Sequence, residues 1–247
     1  MGSFHIVNVG AGEHDNITLR GYRILQAADL VIASEGQRRR FAAELAGKEV
    51  IDGGHGLFSD LALRWIGPEA AAEQEAAMRE RLEAAHAAGK AIVLIESGDA
   101  ALFSPYRGYL TAFRHLRPEL VPGVSSFNAA NAALGQSLLH ELDQRLQLSG
   151  LAAIMESDGS CLPDTWVLFC MGLDLPRLVA RIRALYPAGT RVALVINAGH
   201  PGHEVIRATV GELDRLAGRD IAFPTCLIYV GLPPEPEPEP GVPRAAP

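Results

Sequence analysis

Ser97, Gly98 and Asp99 are the first residues whose types and spacing could do chemistry. They end an apolar, β-type run inside Ala91–Leu110, AIVLIESGDAALFSPYRGYL. A strand that breaks into a Gly-Asp turn presents backbone amides and one carboxylate at its carboxyl end, where open α/β sheets bind ligands. The Asp99 carboxylate can accept hydrogen bonds from ribose hydroxyls, or it can cap a helix that starts at Ala100. A second group, Glu119–Gly135 (ELVPGVSSFNAANAALG), repeats the strand–turn–helix plan with Pro122-Gly123 and Ser125-Ser126. These serines can cap the next helix, hydrogen-bond a ligand, or do both. Two such turns in one domain point to a nucleotide-like cofactor in a crevice.

Other motifs carry less. Gly10-Ala11-Gly12 follows the first strand, but the third glycine of a dinucleotide fingerprint would fall at Asp15, so that pattern fails. No Walker lysine pattern exists. His200-Pro201-Gly202-His203 has no Cys or carboxylate at supporting spacing and reads as a loop with incidental histidines, so no metal is expected. Arg38-Arg39-Arg40 is a solvated face or a meeting point for an acidic ligand. Neither a Ser-His-Asp order nor a G-x-S-x-G elbow supports nucleophilic hydrolysis.

The elements that must position these residues alternate. Strands are expected at Phe4–Val9, Leu30–Ala33, Glu49–Ile51, Ala91–Ile95 and Glu119–Val121, and helices at Thr18–Ala28, Gln37–Leu45 and Pro68–Ala88. Such alternation implies right-handed crossovers and a mostly parallel sheet. After a helix at Ser126–Ala133 and a polar stretch through Ser160, apolar runs at Trp166–Cys170, Val192–Ile196 and Cys226–Val230 are strands, with a helix at Leu175–Leu185. The fold class is therefore α/β: an N-terminal domain over 1–122 and a C-terminal domain with a mixed sheet over 123–232. The remaining 233–247, rich in Pro and Glu, reads as a disordered, polyproline-like tail.

Composition bounds the class. The 247 residues can bury a sizeable core. A net charge of -7 argues against a general nucleic-acid binder. Cys161, Cys170 and Cys226 have no metal-ligand spacing, and two of them lie in apolar runs. They read as reduced thiols in a cytoplasmic protein. No leader precedes the first strand, and no apolar run approaches the ~20 residues of a membrane span.

Five blocks, in order, resemble the tetrapyrrole methylase family. They are Val7–Gly36 (VNVGAGEHDNITLRGYRILQAADLVIASEG), Ala88–Pro105 (AGKAIVLIESGDAALFSP), Leu120–Gly135 (LVPGVSSFNAANAALG), Thr165–Ile182 (TWVLFCMGLDLPRLVARI) and Arg191–Leu213 (RVALVINAGHPGHEVIRATVGEL). The resemblance implies the two-domain methylase fold, S-adenosyl-L-methionine as cofactor, and C-methylation of an anionic tetrapyrrole. Ser97, Asp99, Leu102, Ser125 and Ser126 would line the cofactor from the first domain, and Met171, Ala198, Ala208 and Thr209 from the second. Gly12, Arg20, Arg38, Arg107 and Arg207 are candidates for the acceptor. The resemblance implies a homodimer; the charge and the lack of a long apolar run argue against nucleic-acid and membrane partners, and methyl transfer from a sulfonium asks for no indispensable catalytic base.

The chain departs from the family pattern at Glu13-His14, at Ala100, over Asp52–Gly67 and over Gln136–Pro163. The Gly199–Leu213 pattern leans toward the precorrin-4 C11-type branch. Two alternatives stand beside this reading: a diverged, non-catalytic module that binds cofactor or tetrapyrrole, and a methylase-fold enzyme with a non-tetrapyrrole acceptor.

Overall fold

The computed structural model describes residues 2–59, 66–170, 174–215 and 226–234. The chain divides into two compact units, Met1–Ser126 and Phe127–Pro247.

The first unit carries, in chain order, β1 (Ser3–Asn8), α1 (Leu19–Gln26), β2 (Leu30–Ile32), α2 (Glu35–Arg40), α3 (Ala42–Leu45), β3 (Glu49–Ile51), α4 (Pro68–Ala87), β4 (Ala91–Glu96), α5 (Gly108–Ala112) and β5 (Glu119–Val121). The strands form one sheet in the order β3-β2-β4-β1-β5, and every pairing is parallel. Side chains alternate across a strand, so β1 and β4 feed two cores. Phe4, Ile6, Ile92 and Leu94 enter one, whereas Val7, Val9, Val93 and Ile95 enter the other. Burial on both faces is what a parallel sheet with helical crossovers requires. Met78, Leu82 and Ala85 of α4 cover the first face, joined by an aromatic group of Phe4, Phe58, Tyr109 and Phe113. Leu25 of α1, Leu45 of α3 and Phe41 cover the second.

One helix differs from the sequence expectation. Ser34 and Gln37 form a reciprocal capping box, which starts the helix at Glu35 rather than Gln37. Phe41 then leaves helical geometry (φ -110°, ψ 30°) with its ring fully buried, so Gln37–Leu45 is two short helices instead of one.

The second unit opens with α6 (Ser126–Leu134), all but its first residue. It holds β6 (Leu146–Gly150), α7 (Leu151–Glu156), β7 (Thr165–Phe169), α8 (Leu175–Leu185), β8 (Arg191–Ile196), β9 (Glu204–Thr209) and β10 (Cys226–Val230). The sheet order is β6-β7-β10-β8-β9, with β6 and β7 parallel and the other pairs antiparallel. Ile154, Leu178, Val179 and Ile182 pack on one face against Trp166, Leu168, Val192, Leu194 and Ile228. The sheet is mixed, as the sequence implied. Strands β6 and β9 and helix α7 are additions: the strands' residues are half-buried or exposed and carry little apolar signal, and α7, six residues around the buried Ile154, is too short to show a helical period. Among the described residues no helix is long and apolar enough to cross a membrane. The proposed tail falls, from residue 235 on, outside the described residues.

Candidate functional site

The carboxyl ends of β4, β1 and β5 lie side by side in the sheet, and the loops that leave them are tied together. The loops after β1 and β4 meet in an isolated bridge between Gly10 and Gly98, and Val9 N–H donates to the Glu96 carbonyl at 2.8 Å. Ala11 N–H donates to the Val124 carbonyl at 2.9 Å, which joins the loop after β1 to the one after β5. Thr18 caps α1 and reaches the Pro122 carbonyl at 3.3 Å.

Asn8 is the hub of this edge. Its side chain is fully buried at the end of β1. Nδ2 donates to the Val121 carbonyl at 2.8 Å, and Oδ1 accepts from Ala100 N–H at 2.9 Å. One amide therefore fixes both the Gly-Asp turn and the end of β5. A Cβ at Gly123 would sit 2.4 Å from the Asn8 carbonyl oxygen, so only glycine lets the third loop approach this closely.

The Gly-Asp turn is built as the sequence suggested. Gly98 takes φ +71°, which glycine adopts without strain. Asp99 is half-buried, and Oδ1 accepts from Ala101 N–H at 2.9 Å, with Asn8 Nδ2 3.5 Å away. Its carbonyl accepts from Leu102 and Phe103 N–H. Asp99 thus organises a single turn, which is the capping role in reduced form, and both of these side-chain bonds fall on Oδ1. Ser97 is exposed, as are Leu102 and Phe103 beside it. Ser125 is buried just ahead of α6, and a Cβ on Gly98 would lie 3.7 Å from Ser126 N. Ser97, Asp99, Leu102, Ser125 and Ser126 are therefore brought to one edge.

Gly12 lies buried in the loop after β1. That loop is held by Arg40, whose guanidinium donates to the Val9, Gly10 and Glu13 carbonyls and stacks on Phe41. Burial lowers the Arg40 pKa, opposed by Asp15. His14 sits 2.9 Å from Glu44 and packs on Phe41, so the Glu13-His14 departure is a pinned loop.

The acceptor arginines separate. Arg38, on α2 beyond the carboxyl end of β2, donates to the Ala33 carbonyl at 3.1 Å, and Arg107 is exposed ahead of α5. Arg20 pairs instead with Glu119 at the first residue of β5, the opposite end from the tied loops. Arg207 donates to the Leu134 carbonyl at the end of α6.

In the second unit, Ala198 is buried in the turn after β8, while Ala208 and Thr209 pair with Val192 and Arg191 at the far end of the same ladder. Thr209 N–H and hydroxyl both donate to Glu212 at 2.9 Å. Met171 lies outside the described residues.

Sequence reasoning missed Asn8 and Glu96, and it read Arg40 as part of a solvated face or a meeting point for an acidic ligand, whereas its half-buried guanidinium holds the loop after β1. The available signal was a polar residue ending each of two apolar strands (HIVN and VLIE). Glu96 is Asn8's register partner. Only 6% of it is exposed, Ser97 N–H donates to its Oε1 at 2.9 Å, and Oε2 is buried without a hydrogen-bond partner.

A parallel sheet with polar and glycine turns at its carboxyl edge, followed by a mixed sheet, places the chain in the class of two-sheet α/β methylase folds. The chain belongs to the tetrapyrrole (corrin/porphyrin) methylase family, whose model matches residues 3–214. It is 28% identical over 242 residues to a precorrin-4 C(11)-methyltransferase of Pseudomonas aeruginosa, covering 92% of this chain and 88% of that one. It resembles the crystal structure of uroporphyrin-III-C-methyltransferase from Thermus thermophilus with a TM-score of 0.66 and 27% identity, over 94% of each chain. A structure of the Thermus enzyme complexed with S-adenyl homocysteine matches at a TM-score of 0.63 and 23% identity, over 93% of this chain and 92% of that one.

Proposed function

We propose that this chain is an S-adenosyl-L-methionine-dependent C-methyltransferase that acts on an anionic, precorrin-type tetrapyrrole. The observation that supports it best is the convergence of three turns on the carboxyl edge of the parallel sheet, with Asp99, Ser97 and the start of α6 side by side. Asp99 Oδ1 is committed to the turn, so Oδ2 is the oxygen assigned to a ribose hydroxyl. Gly98 and Gly123 let a ligand and the backbone come close, and Leu102 offers exposed apolar surface to an adenine. The chemistry of these residues fits the cofactor. Met171, Ala198, Ala208 and Thr209 belong to the same proposal and rest on the family resemblance.

When bound, S-adenosylmethionine supplies an electrophilic methyl group. An electron-rich acceptor carbon forms the new C–C bond as the S–CH₃ bond breaks, the bonding pair stays on sulfur, and the acceptor sheds a proton to solvent. The protein's part is alignment, which can be worth about 7–11 kcal/mol of barrier. Arg38 and Arg107 are assigned to acceptor carboxylates, because guanidinium groups bind them bidentately. Gly12 lies in the loop that borders the acceptor. The precorrin-4 C11 branch is preferred over the uroporphyrinogen branch, in keeping with the Pseudomonas relative. We assign a homodimer on the same family grounds, and the cytoplasm on the reading of Cys161, Cys170 and Cys226 as reduced thiols.

Isothermal titration with S-adenosylhomocysteine, followed by mass analysis of precorrin incubated with cofactor, tests this reading. Micromolar binding and a mass gain of one methyl group are expected. Absent binding overturns it, and binding without transfer to any tetrapyrrole favours a non-catalytic module.

A further inference from the structure

Glu96 occupies an unusual position. It is the last residue of β4 and immediately precedes Ser97, the first residue of the cofactor turn. Its carboxyl does not point into water. Oε1 accepts the Ser97 amide, and Oε2 is enclosed with no partner. The register sets it beside Asn8, whose Oδ1 holds Ala100 N–H on the far side of the same turn. Two neighbouring side chains on one sheet face thus grip the turn at its first and fourth residues.

The groups that face Glu96, directly or through Tyr106, are mostly acids and phenols. Asp52 and His55 come from the segment after β3, and His55 lies 6.3 Å from the Tyr106 ring. Tyr106 and Tyr109 come from the segment entering α5, where the Tyr109 hydroxyl donates to the Gly53 carbonyl at 2.6 Å and Glu75 of α4 adds a further acid. Asp99 lies in its own loop. Burial raises Glu96 to about 8, against the opposing bonds from Ser104 and Ser97. Burial also lowers the His55 pKa. A carboxyl in this place is uncharged near neutrality, an acceptor for Ser97 and a spare donor at the other oxygen.

We propose that Glu96 is a positioning residue for the cofactor turn, holding Ser97–Asp99 in binding shape while its carboxyl is uncharged and releasing it on ionisation. A buried carboxylate whose Oε2 has no partner, close to the Tyr106 phenol, is stabilised by turning toward water. That movement takes the acceptor away from Ser97 N–H and loosens one of the two grips on the turn. Cofactor affinity then falls as the pH rises, through shape rather than through direct contact. This inference rests on the cofactor assignment made above.

The test is titration of S-adenosylhomocysteine, which lacks the sulfonium charge, into wild type, Glu96→Gln and Glu96→Ala between pH 6.5 and 9. Wild type should lose about tenfold in affinity across that range. Glu96→Gln keeps both the acceptor and a donor, so it should match wild type at pH 6.5 and stay flat. Glu96→Ala should bind weakly at every pH. An equal pH slope in wild type and Glu96→Gln would overturn the proposal, as would affinity that rises with pH in wild type alone. Failure of wild type to bind at any pH would instead overturn the cofactor assignment itself.

Discussion

The two sheets bury different things. Among the described residues, the first unit buries the polar groups Asn8, Gln37, Ser59, Glu96, Ser104 and Ser125, whereas the second unit buries Thr165 alone of this kind. Thr165 is an ordinary case, its hydroxyl donating to the Gly231 carbonyl at 3.0 Å. The central strands of both sheets are apolar and well packed, so core formation does not require the difference. Burying a polar group without full pairing costs free energy, and the first unit accepts that cost where its strands reach their carboxyl ends. Among the described residues, the contrast gathers buried polar groups around the turns at one sheet edge and leaves the interior of the other sheet almost wholly apolar.

The sharpest break in this contrast is Asn8→Ala. It would orphan the Val121 carbonyl and the Ala100 amide at once, and each buried unsatisfied group costs about 1–3 kcal/mol. Chemical denaturation should show a loss of about 3–4 kcal/mol, together with loss of cofactor binding. A loss below about 1 kcal/mol would mean that the hub carries little load.

Glu96→Gln should act in the opposite direction. The carboxyl lies near 8 in the folded chain against an ordinary 4.5, so folding favours its protonated form. Its contribution is complete below about pH 4.5 and is lost as the pH rises through 8. At pH 8 the glutamine variant should therefore be more stable by about 2–4 kcal/mol, and the two proteins should converge near pH 4.5. Parallel stability curves would show that Glu96 is already ionised in the fold.

Asp99→Ala comes next. It should weaken S-adenosylhomocysteine about 10- to 100-fold, the cost of one lost charge-assisted contact, while stability falls by less than about 1 kcal/mol because only the exposed Ala101 turn bond and the long 3.5 Å contact from Asn8 go. Unchanged affinity would remove Asp99 from the site. Arg20→Ala should do least: its partner Glu119 is half exposed, and such pairs contribute about 0–1 kcal/mol. Any change in cofactor affinity from that variant would contradict the placement of Arg20 away from the tied loops.

Much of this was legible in the residues. Alternating apolar runs gave the parallel sheet, because strands buried on both faces are apolar without interruption. The Ser97-Gly98-Asp99 and Ser125-Ser126 turns were legible because glycine and short polar residues at a strand's end have few other uses. Strands β6 and β9 were not, since LQLSG and EVIRAT lie half in water and their pairing is set by neighbours far along the chain. Asn8, Arg40 and Glu96 were hidden for a related reason. Val121 and Gly10 become neighbours of Asn8 and Arg40 only through the strand order β4-β1-β5 or a helix returning over the loop, and Glu96, which bonds the adjacent Ser97, is enclosed only once β4 lies between β2 and β1. For Asn8 and Glu96, a polar residue closing an apolar strand was the only local trace.

The most direct test of the account is hydrogen exchange by mass spectrometry with and without S-adenosylhomocysteine. The account predicts slowed exchange in peptides covering residues 9–12, 97–103 and 122–126, and no change around Glu119 and Arg20. Binding that leaves the amides of 97–103 unprotected would contradict the assignment of the cofactor to this edge.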